Sequence, residues 1–407
     1  MPTSPTDLSC APSCAPYSGL RVLDLSQGIA GPYCAQILWQ QGADVVKVEP
    51  PDGDWGRHVG VVRDDQSALS IAYNVGKRGV CVDARQARGK TLLADMAGRA
   101  DIVIQNFRPG VAERMGVGYD GLAERRPGLV YVSISGYGPD GPYAHAPASD
   151  SVMQADSGLM YANQTPAGEP RRIGLLMADI ATALYAAQAA SAALYQRARS
   201  GRGQHVQLNL FQACAALQVN DILAYGIAGE REAVAVSAPN GVFQTADARL
   251  SVLALNNDQF ARLCRALERP EWLADPALSS NAARMAQRER LHREMAEQLA
   301  RQPAAHWEER LAREDVLHAR VRDYDALAAH PQAAHLGLLE PLAQPGGTPL
   351  PYARAPGAPA RRPLQAAPAI GQHTVEVLTE WGVAPAEIQA MLQAGVLRQA
   401  DAGKESL

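Results

Sequence analysis

The sequence predicts an α/β protein with a mostly parallel sheet covered on both faces, plus a second and smaller α+β domain. Three observations carry this. Up to about residue 210, short apolar runs alternate with helical stretches, the pattern of strands buried by crossover helices. From about 216 to 325 the chain changes to charge-dotted helices around one apolar β segment. The 407 residues, 47% hydrophobic and 20% charged, suffice for two or three cores and exclude a disordered chain or a rod.

Order begins at Gly19. Residues 1–18 carry Pro2, Pro5, Pro12 and Pro16 among serines and read as a loose tail, without the charged-then-apolar arrangement of a signal peptide. Residues 21–25 form a strand, 26–31 a turn, and 32–41 a helix with Pro32 suited to its first turn. Gly42 ends that helix, and 44–48 is the next strand, completing a βαβ unit. Strand 79–82, helix 87–97, strand 101–105, a short helix at 111–115 and strand 129–134 follow. An Ala-rich helix covers 180–196, Gly201 and Gly203 end it, and 204–210 returns as a strand, closing a large-domain portion at 19–215. The smaller domain spans 216–325, with a β segment at 250–255 and helices at 259–267, 284–299 and 304–313. Residues 326–407 lead back, through an extended Pro- and Gly-rich connection at 341–363, to a helical segment at 373–397.

Composition narrows the function. A net charge of −4 removes the electrostatic footprint of a nucleic-acid binder. No apolar run approaches the ~20 residues of a membrane span. Cys10, Cys14, Cys34, Cys81, Cys214 and Cys264 are scattered without metal-ligand spacing, which points away from zinc and toward a reducing cytoplasm. Only Lys47, Lys77, Lys90 and Lys404 are lysines among 38 basic residues, so surface arginines carry little weight here.

The first βαβ unit has the layout of a dinucleotide site without its fingerprint. Glu49 supplies an acid after the second strand, but Gly28 and Gly31 do not give Gly-x-Gly-x-x-Gly. The fold signal stands and the NAD signal does not.

Four other constellations carry chemistry. Asp179, at the head of the Ala-rich helix, reads first as an N-cap and second as an ionised nucleophile; the two roles are compatible. Asn106-Phe107-Arg108-Pro109-Gly110, with Arg114 and Met115 beyond, is a phosphate cradle or a plain turn past a strand's carboxyl end. Asn74 to Gly79, with Lys77, is a polar basic loop, and Ser135 to Tyr143, with Tyr137 and Gly138, is a glycine-rich turn.

Taken together, these segments resemble the class III coenzyme A transferases, which include formyl-CoA transferase, carnitine CoA-transferase and bile-acid CoA-transferases. The match runs from Gly19 to about Leu397. It rests on Gly19 to Leu25, Ala30-Gly31-Pro32, Gly42 to Glu49, Asn74 with Lys77-Arg78 and Gln105 to Gly110. It continues through Ser133 to Gly138, Gln154 with Ser157-Gly158-Leu159, Asp179 with Ser200 to Gln204, and Gly371 to Thr374.

The resemblance implies a Rossmann-like large domain built from both chain ends, an inserted small domain, and a homodimer of interlocked subunits. It implies an enzyme that passes CoA from an acyl-CoA to a carboxylic acid, with Asp179 as nucleophile and no permanently bound cofactor or metal. Residues matching CoA-holding positions are Asn74, Lys77, Asn106, Phe107, Arg114, Met115, Tyr137 and Gly138. A glycine lid of formyl-CoA transferases falls on 238–242, making Asn240 and Gly241 candidate acid-binding positions. Ile29, Pro50 and Ser135 replace polar CoA contacts of that subgroup, which argues against a formyl or oxalyl substrate. Met177 to Thr182 and Asn256 to Phe260 are most similar to the succinyl-CoA:dicarboxylate branch, and Arg171 and Arg172 are suited to pair with a distal carboxylate. Two alternatives remain at this point: an acyl-CoA binder without turnover, and an α-methylacyl-CoA racemase. The racemase's Gly-His-Asp motif is here Ala148-Ser149-Asp150, which lacks the histidine, and His145 is out of register.

Overall fold

The computed structural model describes residues 15–165, 167–229, 236–357 and 362–400; Cys10, Cys14 and the expected tail up to residue 14 lie outside them. The chain divides into two compact units. One comprises the described residues up to Asn220 and from Leu338 onward, and the other is Asp221–Gly337, set beside the 216–325 span expected.

The first unit is built on a seven-stranded sheet. Six strands run parallel: β1 (Arg21–Asp24), β2 (Asp44–Glu49), β3 (Arg78–Val82), β4 (Ile102–Gln105), β5 (Val130–Ser135) and β6 (Gln204–Asn209). Their order is β3-β2-β1-β4-β5-β6, the order of a doubly wound sheet, and the short strand Leu397–Arg398 adds antiparallel to β3. At the centre Leu23 lies opposite Val46 on one side and Val103 on the other.

Helices cover both faces. On one, α1 (Ala30–Gln40) packs against the long α4 (Met177–Ser200). The small side chains of Ala183, Ala186, Ala187 and Ala190 are buried in the same cluster as Cys34, Leu38 and Trp39 and permit close approach. Gly201, in the left-handed conformation with φ 71°, ends α4 as expected. On the other face α2 (Ala87–Arg99) contributes Leu92, Leu93 and Met96 to a core shared with Val377, Leu378, Ile388 and Met391. The helical segment expected at 373–397 is two helices, Thr374–Glu380 and Pro385–Gln393, because Gly382 at φ 79° and Pro385 interrupt it. The connection expected to be extended over 341–363 contains a small antiparallel hairpin, Glu340–Leu342 with Leu350–Tyr352.

The second unit has a three-stranded antiparallel sheet of β7 (Asn240–Gln244), β8 (Arg249–Leu253) and β9 (Leu317–Arg320), with β8 central. Only β8 has an apolar run long enough to read as a strand. Its core joins Leu250 and Val252 with Trp272, Leu291, Met295 and Trp307. Among the described residues no helix is long and apolar enough to cross a membrane.

Candidate active site

Strand order reverses between β1 and β4, so the loops leaving their carboxyl ends diverge and open a crevice. A cleft of about 490 Å³ occupies that place, lined by the turn after β1 (Gln27, Ile29, Ala30), the loop after β4 (106–109) and the end of β5. Asp150, which opens α3 (Asp150–Asp156), and Asp179, in the first turn of α4, complete the wall.

A buried set of charges holds the turn after β1 in place. Lys47 and Glu49 alternate with Val46 and Val48 along β2, so both project to one face. Lys47 Nζ donates to the Ser26 carbonyl and to Asp54 Oδ2, the latter at 2.8 Å. Asp54 in turn accepts from the Gly28 and Gly56 amides. Arg57 Nε and Nη2 grip the two Glu49 oxygens at 2.7 Å each. Glu49 is therefore fully engaged and unavailable to a ribose, in keeping with the absent dinucleotide fingerprint. Gly28 has φ +76°, and a Cβ there would lie 2.1 Å from the Trp55 ring, so only glycine lets that indole sit against the turn at the cleft wall.

Asp179 is not the N-cap. Leu176 holds that position without a side-chain cap, and Asp179 is the third helical residue. The capping hydrogen bond comes from another element: Asp150 Oδ1 accepts from the Ala178 amide at 2.8 Å. That amide is thereby unavailable to a bound substrate. The expectation that the helix end keeps Asp179 fully ionised also needs correcting. A terminal dipole contributes only ~0.3–1 kcal/mol at an exposed position. Here burial, and then the nearby Asp150 carboxylate, push the Asp179 carboxyl up to about 7.

The structure brings together some of the sequence-predicted residues. Asn106 and Phe107 line the cleft with Asp179. Asn106 pairs twice with the Gln27 backbone, at 2.8 and 2.7 Å, which ties the β1 and β4 loops to each other. Lys77 and Asn74 stand elsewhere. Lys77 is buried, and its ammonium donates to Asp24 Oδ2 (2.7 Å), the Pro32 carbonyl (2.9 Å) and Asn74 Oδ1 (2.9 Å). Three donors are all a lysine has, so none remains for a phosphate.

Arg114 is exposed near Gly110, and Met115 packs into the α2 core. Tyr137 donates to Asp156 Oδ2 at 2.8 Å, and the Gly138 amide donates to Ser135 Oγ at 3.0 Å; neither residue lines the cleft. Arg171 and Arg172 are exposed and also outside the lining, although Arg172 donates to Ser151 Oγ, a cleft residue, at 3.2 Å. Asn240 and Gly241 belong to the second unit, where 240–242 form the start of β7 and not the loop expected.

The sequence did not single out Trp55, and it marked Asp150 only as part of the racemase-like triplet and Arg108 only within the cradle-or-turn loop. Arg108 is the one cation lining the cleft, and it has no carboxylate partner among the described residues. Its signal was present in the Asn-Phe-Arg-Pro-Gly loop. The capping role of Asp150 had no local signal, because its partner lies 28 residues away at Ala178.

Fold and site define an α/β protein with a largely buried carboxyl group in its switch-point crevice. The model of CoA-transferase family III matches residues 17–374. The chain belongs to that family. A succinate–glutarate CoA-transferase of Agrobacterium fabrum is 34% identical over 392 residues, spanning 90% of this chain and 95% of that protein. An acetyl-CoA:oxalate CoA-transferase of Acetobacter aceti is 33% identical over 341 residues, 82% of this chain and 88% of its own. The crystal structure of a CaiB/BaiF family protein from Brucella suis matches with a TM-score of 0.81 and 31% identity, covering 90% of this chain and 99% of that one.

Proposed function

We propose that this CoA-transferase moves CoA from succinyl-CoA to a dicarboxylic acid through a covalent intermediate on Asp179. The observation that carries the reading is the Asp179 carboxyl itself, half-buried in the switch-point cleft and lifted to about 7. A carboxylate so desolvated is a stronger nucleophile when ionised than an ordinary surface aspartate. It attacks the thioester carbonyl, the carbon–sulfur bond breaks, and CoA thiolate leaves with the electron pair. The thiolate then attacks the aspartyl carbonyl of the mixed anhydride and expels the donor acid, leaving an aspartyl-CoA thioester. The acceptor acid runs the same steps in reverse. No atom changes oxidation state, so the reaction as written needs no resident cofactor. Arg108 is the group we assign to an anionic part of the substrates, a role earlier expected of Arg171 and Arg172.

The succinyl donor is supported by the name of the Agrobacterium relative and by the segment around Asp179. Against racemisation, Ser149 stands where the racemase motif has its histidine, and no histidine lines the cleft among the described residues. The test incubates the enzyme with succinyl-, acetyl- and oxalyl-CoA without acceptor, traps with hydroxylamine and maps the modified peptide. We expect modification at Asp179 with succinyl-CoA. No modification with any donor, together with α-proton exchange in deuterated water, would overturn the proposal.

We also infer an interlocked homodimer in the cytoplasm. The four described cysteines are free and buried, which suits a reducing compartment. Helix α6 (Val219–Ala228) has no buried residue, and Ile222, Leu223 and Ile227 are 53%, 61% and 87% exposed in the single chain. An apolar helix bare on every side needs a partner. Leu223→Glu with Ile227→Glu is expected to lower the mass measured by light scattering from dimer to monomer; an unchanged dimer would place the interface elsewhere.

A further inference from the structure

We propose that Asp150 is a positioning residue for transfer: from α3 it fixes the backbone that aims Asp179 and sets a second carboxylate beside it on the cleft wall. This deepens the transferase reading above and rests on it.

The geometry is a two-point clamp. Asp150 is buried, and each of its oxygens has a donor: Ala178 N at 2.8 Å for Oδ1 and Gln154 Nε2 at 2.8 Å for Oδ2. Gln154, one turn further along α3 and fully buried, donates also to the Leu175 carbonyl at 3.0 Å and accepts from the Ile173 amide at 2.9 Å. The segment leading to Asp179 is therefore fastened at 173, 175 and 178, all to one face of α3. Ser149 caps α3 from the preceding residue, so the clamp has a fixed base. Position and charge come from the same carboxylate.

Both carboxylates line the same cleft. Among the described residues, the titratable groups that interact with Asp179 are Asp150 on α3, Tyr73 on the turn after helix Ala68–Ala72 and Cys214 on α5 (Leu210–Leu217), while Arg108 lines the same cleft from the β4 loop. Asp179 is the one acid in the first turn of its own helix. The Tyr73 hydroxyl, raised to about 12 by burial, by Tyr33 and by Asp179, stays neutral, as does the raised Cys214 thiol. Asp150 is thus the anionic neighbour, and burial with Asp150 are the two causes of the elevated Asp179 value. A more basic carboxylate adds faster to the thioester, but only while ionised. The pair therefore trades nucleophilicity against ionised fraction near neutral pH.

The experiment reads the protonated Asp179 carboxyl by its infrared carbonyl band in the full chain, assigned by its loss in Asp179→Asn. Asp150→Asn keeps an oxygen for Ala178 and drops the charge; it is expected to lower the midpoint by about one pH unit. The acidic limb of kcat/KM should move down with it. Asp150→Glu should restore the midpoint. Gln154→Leu keeps the charge and frees the segment, so its midpoint stays within a few tenths of wild type while kcat falls roughly tenfold at unchanged KM. An unmoved midpoint in folded, CoA-binding Asp150→Asn overturns the proposal. If that variant does not fold, Asp150→Ser, with a hydroxyl acceptor and no charge, gives the same reading. Failure of the transferase reading is distinct: wild-type enzyme would then transfer from no acyl-CoA, while the infrared midpoints would still be measured.

Discussion

Asp179→Asn and Asp179→Ala are expected to lose CoA transfer by roughly 10⁴-fold or more, the scale seen when a nucleophile is removed, while acyl-CoA still binds. The binding half of this result follows from geometry. The loops after β1 and β4 are held by Asn106 and by buried charges, none of which touches Asp179. A second readout separates lost chemistry from lost structure. The folded carboxyl sits at about 7, whereas an unfolded aspartate titrates near ~3.9. The fold thus holds that proton more tightly than the unfolded chain does. Stability falls as pH rises from about 4 through about 7, and the penalty is complete above that range. Asp179→Asn removes the penalty, so the variant should melt higher than wild type at pH 8 and level with it near pH 4. Retained transfer in either variant would remove Asp179 from the mechanism; a lower melting temperature at pH 8 would contradict its desolvation.

Most of the fold was legible because it is written locally. The central parallel strands are short, mostly apolar segments punctuated by Gly42, Pro50 and Gly201, and those signals act within a few residues. Strands β7 and β9 escaped because Asn240–Gln244 and Leu317–Arg320 are short and polar, and acquire strand character only by pairing with β8. The site divided along the same line. Asp179 and Asn106-Phe107 sit at element ends that sequence punctuation marks. Asp150 and Trp55 gain their roles from contacts made across the fold, to Ala178 and to Gly28. Lys77 shows the converse error: a lysine in a polar loop next to a strand has the local look of a phosphate ligand, and nothing nearby in sequence reveals Asp24, 53 residues upstream, as its partner.

That partner makes Lys77→Met the second large effect, and an effect on stability. Both side chains of the Lys77–Asp24 pair are fully buried. Removing one member of such a pair leaves the other charge without compensation, at a cost of about 3–5 kcal/mol. At ~2–4 °C per kcal/mol for a unit of this size, the melting temperature should fall by roughly 10 °C. Among the described residues Asp24 would keep hydrogen bonds from Ser26, whose amide and hydroxyl both donate to Oδ1, together with the nearby Lys47 charge, and Ser26 is also where Lys47 fastens the turn lining the cleft. Activity should therefore fall along with stability, through loosening of that turn. Asp24→Asn combined with Lys77→Met removes both charges together and should recover a large part of the lost stability, giving a coupling measurable by a double-mutant cycle. A phosphate-binding lysine would behave in the opposite way, with acyl-CoA affinity weakened, melting unchanged and no coupling to Asp24. Melting curves and CoA titrations on the four proteins of the cycle decide between the two.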